Sequence, residues 1–266
     1  MDYFPKRIIC LTEETTETLY LLGEQERIVG ISGFTVRPAQ ARKEKPVVSA
    51  FTDANIEKIV SLQPDLVIGF SDIQAGIAQQ LIARGITVWI NNQRTVAGIY
   101  AMIIQLGSLV GKTDDATKLV SRYQAIIEQI KQTGDSFTTK PKVYFEEWYD
   151  PLISGIGWVS ELVELAGGID IFHEYQPGSL ARDRIISNPD EVIQRNPDII
   201  IASWCGKKFK KEKLINRPGW DKISAVKNDA IVEIRSSEIL QPGPAALTAG
   251  IQQIASIIQK WHTNQF

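Results

Sequence analysis

One short pattern occurs twice in the chain, and it limits the folds that the chain can adopt. LQPDLVIG occupies residues 62–69, and RNPDIIIA occupies residues 195–202. In each copy an amphipathic run leads through Pro-Asp into an uninterrupted apolar run. Proline ends a helix and donates no backbone hydrogen bond, so it suits the residues just before a strand. Uninterrupted apolar runs are typical of strands buried on both faces of a parallel sheet, so the repeat predicts two similar α/β halves.

Further strands and helices are predicted around both copies. The predicted strands are RIICL (7–11), IVGIS (28–32), ITVWI (86–90), KVYFEE (142–147) and AIVEI (230–234). The helical patterns TETLYLLG (16–23) and GIAQQLIARG (76–85) lie between strands of the first half. This alternation of strands and helices indicates an α/β fold with parallel central sheets.

The segment between the halves has a helical pattern and no strand pattern. Its apolar residues recur at three- and four-residue spacing: Ala116, Leu119, Val120, Tyr123, Ile127 and Ile130. A helix over about 114–132 would be roughly 28 Å long. We therefore predict two Rossmann-like lobes, residues 1–94 and 140–266, joined by a helical segment at 95–139 that contains one long α-helix. A stiff connection of this kind predicts a ligand cleft between the lobes.

Composition and charge exclude several classes of function. The formal net charge is −2, which gives no general attraction to nucleic acid or to an anionic membrane. No apolar run approaches the roughly 18 residues of a membrane span. The first residues, MDYFPKRIICLTEE, lack the basic and apolar regions of a signal peptide. We therefore expect either a cytoplasmic protein or one from which a signal has been removed.

Three stretches carry a resemblance to a known family: RIICLTEETTETLYLLGEQERIVGIS, VYFEEWYDPLISGIGWVSELVELAGGIDIF and SNPDEVIQRNPDIII, with ELAGGIDIF (164–172) as the most characteristic part. Over nearly its whole length the chain resembles the helical-backbone substrate-binding proteins of ABC importers. Within that group it is most similar to cobalamin-binding proteins and their iron-siderophore relatives. The resemblance implies a monomeric, extracytoplasmic binding protein that is not an enzyme and has no intrinsic cofactor or metal. Its ligand would be a cobalamin-like corrinoid.

The resemblance also implies a partner, an ABC permease that receives the ligand. In such proteins an acidic residue on each lobe docks the permease, seven positions before the proline that precedes the strand. Glu57 and Asp190 hold these positions. The alternative is that both are ordinary solvated acids at helix starts, where the helix dipole favours them.

Candidate ligand-binding residues follow from their position after predicted strands. Residues just beyond a parallel strand face the ligand side of the sheet, and a flat corrinoid needs aromatic faces with a few polar groups. In the first lobe these residues are Phe34, Arg37, Phe51, Phe70 and Asp72. In the second lobe they are Glu146, Glu147, Trp148, Trp204, Lys207 and Gln241. The resemblance supports the three phenylalanines, because relatives carry ligand-facing aromatic residues there; core packing is the alternative for each aromatic residue.

The segment GKKFKKEKL (206–214) contains five lysines and allows three interpretations. It is a solvated surface, or it contacts a phosphate or carboxylate of the ligand, or it pairs with Glu146 and Glu147. Lysine binds an oxyanion as a point charge, without the fork geometry of arginine.

Three other functions compete with corrinoid import. A receptor for a bare metal ion is disfavoured because the chain has only two histidines, whereas a metal chelate such as an iron siderophore needs no protein ligand. An enzyme would use Cys205 as a nucleophile with Glu146 and Glu147 as acid–base groups, but no GxSxG, P-loop or GxGxxG motif is present. A cytoplasmic corrinoid-binding protein with the importer fold is the third alternative.

Overall fold

The computed structural model describes residues 3–178 and 180–266, which form two compact units. The first comprises the described residues of Met1–Gln93 together with Ala97–Arg122. The second comprises Arg94–Val96 and the described residues of Tyr123–Phe266. The helical segment predicted at 95–139 is therefore divided between the two units.

In the first unit the strands form one sheet in the order β4-β3-β2-β1-β5-β6. The strands are β1 (Ile8–Cys10), β2 (Ile28–Ser32), β3 (Val47–Ala50), β4 (Asp53–Ala54), β5 (Leu66–Phe70) and β6 (Val88–Asn91). Neighbouring strands are parallel, and the short β4 is antiparallel to β3. Every residue of β5, which contains the first copy of the repeated apolar run, is buried. This is the burial that an apolar parallel strand predicts.

Helices accompany these strands in the first unit. They are α1 (Glu13–Leu21), α2 (Ala41–Glu44), α3 (Ile56–Ser61), α4 (Ala75–Ile82) and α5 (Val96–Leu109). The side chain of Asn55 accepts a hydrogen bond from the Lys58 N–H and so fixes the start of α3. One apolar cluster packs strands against helices through Ile9, Leu11, Val48, Ile59, Val67, Ile77 and Leu81.

The predicted long helix is present as α6 (Thr113–Asp135), and it contributes residues to both units. Its apolar stripe explains why it forms, because Ala116, Leu119 and Val120 are buried in the first unit while Tyr123 and Ile127 are buried in the second. No helix within residues 3–178 and 180–266 is both long and apolar enough to cross a bilayer.

In the second unit the sheet has the order β11-β10-β7-β8, and β9 also pairs with β7. The strands are β7 (Lys142–Tyr149), β8 (Leu152–Ser154), β9 (Ile169–Asp170), β10 (Ile199–Ala202) and β11 (Ile231–Glu233). The helices are α7 (Gly157–Leu165), α8 (Asp190–Arg195), α9 (Lys211–Ile215), α10 (Ser224–Lys227), α11 (Ser236–Ile239) and α12 (Ile251–His262). The β10 strand is parallel to both β7 and β11. The predicted α/β fold with parallel sheets is therefore confirmed.

The repeated Pro-Asp pattern corresponds to a repeated structural unit. Gln63 and Asn196, which directly precede the two prolines, both have left-handed backbones, with φ values of 47° and 45°. The carboxylate of Asp65 accepts hydrogen bonds from the N–H groups of Lys6 and Arg7 at 2.7 and 3.0 Å. The carboxylate of Asp198 accepts one from the Lys142 N–H at 2.8 Å. In both units the aspartate thus fixes the chain at the start of the neighbouring strand, β1 or β7.

The structure shifts several predicted bounds. The strand predicted at 142–147 continues to Tyr149 because its end pairs with the antiparallel β8, which was not predicted. The strand predicted at 86–90 occupies Val88–Asn91, and the helix predicted at 16–23 occupies Glu13–Leu21. The ligand cleft predicted between the lobes stays a prediction.

Candidate functional site

The carboxyl ends of β1, β2, β3 and β5 form one edge of the first sheet, and most of the predicted first-lobe residues lie there. Along the sheet the strand order changes direction beside β1, which is where open α/β sheets bind ligands. Phe34 and Arg37 follow β2, and Asp72 follows β5, as predicted. Phe51 follows β3, whereas Phe70 is the last residue of β5 and not a residue beyond it.

The three phenylalanines differ in exposure. Phe34 is 53% exposed, Phe51 is partly buried and Phe70 is only 6% exposed. The guanidinium of Arg37 forms an ion pair with Glu17, with a distance of 3.0 Å between Nε and Oε1. Phe34 therefore offers the most aromatic surface at this edge, and Phe70 packs inside the unit.

Gln74 connects three strand ends of the first unit, and the sequence analysis did not single it out. Its buried side-chain amide donates a hydrogen bond to the Phe51 carbonyl at 2.7 Å and another to the Leu11 carbonyl at 3.4 Å. Its oxygen accepts one from the Phe70 N–H at 2.8 Å. One side chain thus fixes the backbone beyond β1 and β3 and at the end of β5.

A second group that was not predicted is a set of buried acids directly after β1. Glu13 and Glu14 are almost fully buried at the start of α1. Burial raises the pKa of Glu13 to about 8, although the N–H of Val36 donates a hydrogen bond to its carboxylate. Burial also raises the pKa of Glu14 to about 7, against the hydrogen bond that the Thr12 hydroxyl donates at 2.6 Å. A polar run, TEETTET, straight after a strand was the signal that could have identified them.

In the second unit the predicted acids of β7 both have arginine partners, and the complete burial of Glu146 corrects its assignment to the ligand. Glu146 is 0% exposed, and its carboxylate accepts hydrogen bonds from both terminal nitrogens of Arg217 at 2.5 and 3.0 Å. Glu147 likewise accepts two hydrogen bonds from Arg184, at 2.6 and 3.0 Å, and Arg184 is itself buried. Both ion pairs stabilise the hairpin; Glu146, fully buried, is closed to a ligand, whereas Glu147 stays partly exposed and its assignment to the ligand stays a prediction.

A group of aromatic rings packs beside the ion pair of Glu146 and Arg217. The ring centroids of Trp148 and Tyr149 are 5.2 Å apart, and those of Tyr149 and Trp204 are 4.5 Å apart, with interplanar angles of 39° and 35°. The indole N–H of Trp204 donates to Glu146 at 2.9 Å, and Trp204 is only 3% exposed. Trp204 therefore packs against the Tyr149 ring from inside the unit, whereas Trp148 and Tyr149 are partly exposed. Tyr149 was not among the predicted ligand residues.

Two lysines of the 206–214 segment lie against these rings. The Nζ atom of Lys207 is 4.8 Å from the Trp148 ring centroid, and it donates a hydrogen bond to the Tyr149 hydroxyl at 3.4 Å. The Nζ atom of Lys213 is 4.6 Å from the Tyr149 ring centroid. The proposed pairing of this segment with Glu146 and Glu147 is wrong, because arginines occupy both acids.

The other predicted residues lie on separate parts of the surface. Gln241 is partly buried in the turn after α11. Glu57 lies in the first turn of α3 and forms an ion pair with Arg84 at 2.8 Å, and Asp190 is the exposed first residue of α8. Cys205 is exposed, but partial burial of its thiol and the charge of Glu147 raise its pKa. A raised pKa disfavours the thiolate that the enzyme alternative requires.

Residues 8–238, most of the chain, match a family model described as "Periplasmic binding protein". The chain belongs to the periplasmic binding protein family. Its relatives in this family include a substrate-binding lipoprotein of an ABC transporter and vitamin B12-binding proteins, so the predicted family is confirmed.

Two relatives and one solved structure illustrate where this periplasmic binding protein stands within the family. It is 26% identical to an uncharacterised ABC transporter substrate-binding lipoprotein of Bacillus subtilis (strain 168), over 96% of this chain and 80% of that protein. It is 28% identical to a vitamin B12-binding protein of Vibrio campbellii, over 92% of this chain and 86% of that protein. The periplasmic heme-binding protein RhuT from Roseiflexus sp. RS-1 shares its fold, with a TM-score of 0.79 and 22% identity over 96% of this chain and 99% of that one.

Proposed function

We propose that this periplasmic binding protein binds a corrinoid reversibly outside the cytoplasm and delivers it to an ABC permease. The observation that carries the proposal is the group of tilted aromatic rings, Trp148, Tyr149 and Trp204, at the carboxyl edge of the second sheet. Partly exposed ring faces contact a broad flat ligand over a large area at little cost in side-chain entropy. The vitamin B12-binding relatives support the corrinoid as the ligand.

Under this proposal the protein binds its ligand reversibly and does not change it chemically. The faces of Trp148 and Tyr149 contact the ring of the ligand, and the buried pair of Glu146 and Arg217 holds those faces in place before the ligand arrives. Rings that are already ordered lose less entropy on binding, which favours affinity.

Calorimetric titration with cobalamin, cobinamide, hemin and a ferric siderophore tests the proposal. We expect a saturable 1:1 response to cobalamin. Trp148→Ala should weaken it by about 1–2 kcal/mol because a ring contact is lost. Trp261→Ala is the matched control, since this partly buried tryptophan lies on α12 and not at the sheet edge. Wild-type protein that binds no corrinoid would refute the proposal.

A ferric siderophore or another anionic metal chelate is the second candidate ligand. The observation that favours it is the positive charge of Lys207 and Lys213 beside the rings. Binding of the chelate but not of cobalamin in the same titration would replace the corrinoid by the chelate and leave the importer role intact.

Delivery to a permease requires a docking surface, and we propose Glu57 and Asp190 for it. The double variant Glu57→Gln/Asp190→Asn should keep the dissociation constant for the ligand but lose stimulation of the permease ATPase. The variant Glu128→Gln/Asp135→Asn on α6 changes the charge equally and should leave stimulation intact. Equal loss in both variants would contradict a specific docking role.

A further inference from the structure

In the second unit, two lysine ammonium groups contact a group of aromatic rings. A surface of this kind can select a ligand by its charge as well as by its flat shape. We call it the aromatic–lysine platform and define it as Trp148, Tyr149, Trp204, Lys207 and Lys213. The platform joins three segments of the chain: the β7–β8 hairpin, the residues after β10, and α9. Its rings are in mutual contact, and its two ammonium groups lie 4.6–4.8 Å from ring centroids.

The platform rings are held by Glu146 and Arg217, an ion pair with no net charge. Glu146 and Arg217 cancel each other's charge, and the same carboxylate accepts the Trp204 N–H. Arg217 also donates a hydrogen bond to the Tyr149 carbonyl at 3.3 Å. The Trp148 indole N–H donates to the Asp150 carbonyl at 2.9 Å, which fixes the ring at the tip of the hairpin. Glu146 and Arg217 therefore add no net charge beside the two lysines.

The ammonium groups of Lys207 and Lys213 contact aromatic rings. Lys211, in the same segment, does pair with an acid, Asp229. Among residues 3–178 and 180–266, no carboxylate oxygen lies within 4.0 Å of the ammonium groups of Lys207 or Lys213. Cation–π contacts hold each ammonium group in place without neutralising it. Two oriented positive charges beside an aromatic face are complementary to a flat ligand with an anionic rim.

We infer that the ligand carries an oxyanion, a phosphate or a carboxylate, at the rim of its ring system, and that Lys207 and Lys213 bind this oxyanion while Trp148 and Tyr149 contact the ring. The inference rests on the proposed function and adds the charge of the ligand to it. Lysine suits either group, because it binds oxyanions as a point charge with rotatable donors. The two sources of the oxyanion, a phosphodiester arm and a ring carboxylate, are separated by the choice of ligands in the test.

The test compares ligands in matched pairs. Cobalamin carries a phosphodiester that cobinamide lacks, and hemin carries carboxylates that its dimethyl ester masks. Dissociation constants are measured for the wild-type chain and for Lys207→Gln/Lys213→Gln. The control is Lys227→Gln/Lys260→Gln, which removes the same charge from α10 and α12, outside the platform. All four lysines are exposed, so both variants should fold, and their circular dichroism and melting curves check this.

We expect the platform variant to weaken binding of the oxyanion-bearing member of one pair by at least about tenfold, the scale of a charged hydrogen bond. Binding of its partner should change by less than about twofold, as should both members in the control variant. The affinity of the wild-type chain for the oxyanion-bearing ligand should fall with added salt, and this dependence should be smaller in the platform variant. The cobalamin pair or the hemin pair then identifies phosphate or carboxylate.

The results that would contradict the oxyanion contact differ from those that would contradict the proposed function. Equal weakening of both members of a pair, or no weakening in the platform variant while the wild-type chain binds, overturns the oxyanion contact and leaves the proposed function in place. In that case the lysines are a solvated surface. Absence of binding by the wild-type chain to both cobalamin and cobinamide overturns the proposed function, and absence of binding to all four ligands overturns the inference as well.

Discussion

Glu13 and Glu14 show how individual residues at the edge of the first sheet affect stability. Each is buried, and within the described part of the chain each has one carboxylate oxygen, Oε1 of Glu13 and Oε2 of Glu14, without a hydrogen-bond partner. Burial raises their pKa values to about 8 and about 7, from ordinary values of 4.5. Between pH 4.5 and about 8 the folded chain therefore binds more protons than the unfolded chain. The free energy of unfolding therefore falls as the pH rises from about 4.5 to 8.

The double variant Glu13→Gln/Glu14→Gln should remove most of this pH dependence. At pH 8 its free energy of unfolding should exceed that of the wild-type chain by on the order of a few kcal/mol, because no buried carboxylate must ionise. At pH 4.5 the difference should be small. Urea unfolding at several pH values measures both quantities, with the exposed Glu128→Gln as control. An unchanged slope of stability against pH would show that the two acids are ionised at no cost.

Gln74 is the other residue whose role depends on burial. In Gln74→Ala the Phe70 N–H loses its acceptor and the carbonyls of Leu11 and Phe51 lose a donor. We expect the free energy of unfolding to fall by about 1–3 kcal/mol, the cost of buried polar groups left unpaired. Gln80→Ala, on the exposed side of α4, removes a hydrogen bond to Gly76 and should cost less than about 0.5 kcal/mol. Equal effects in the two variants would contradict a linking role for Gln74.

At the scale of elements, the repeated Pro-Asp unit should stabilise both sheets. Asp65→Ala removes the acceptor for two N–H groups before β1, and Asp198→Ala removes the acceptor for one N–H at the start of β7. We expect each variant to lower the free energy of unfolding by about 1–2 kcal/mol, with the larger loss for Asp65. Asp53→Ala, whose carboxylate bonds only to the N–H of the next residue among the described contacts, is the control. A loss for one aspartate alone would mean that the repeat is structural in one sheet only.

The elements also show what the sequence could predict. Apolar runs that must be buried on both faces identified β2, β5 and β10, and the apolar stripe at helical spacing identified α6. The three-residue β8 has no comparable pattern, so the β7–β8 hairpin and the extension of β7 to Tyr149 were missed. The arginines that neutralise Glu146 and Glu147 lie 71 and 37 positions away. Such pairing depends on the tertiary fold, and for this reason the sequence predicted neither ion pair.

At the scale of the whole molecule, α6 is a long helix whose residues are divided between the two units. It contributes buried residues to the first unit before Arg122 and to the second from Tyr123 onward. Unfolding of either unit removes the packing that stabilises half of this helix, and a short isolated helix is marginal in water. We therefore expect the two units to unfold together.

Two probes report separately on the units. Cys10 is fully buried in the first unit, and burial raises the pKa of its thiol to about 12, so in Cys205→Ser it should react with a thiol reagent only after unfolding. Five of the six tryptophans lie in the second unit and report on it by fluorescence: Trp148, Trp158, Trp204, Trp220 and Trp261. In urea the midpoint of thiol labelling should agree with that of fluorescence within about 0.3 M.

Ser121→Pro tests whether α6 is the cause of this coupling. The residue is exposed near the middle of the helix, so the substitution removes a helical hydrogen bond without changing the apolar stripe. Proline in a helix interior costs about 3 kcal/mol or more, and this cost should lower both midpoints together, whereas Ser121→Ala should leave them in place. Two separate midpoints in the parent protein, or a shift of only one midpoint in Ser121→Pro, would show that each unit is stable without the shared helix.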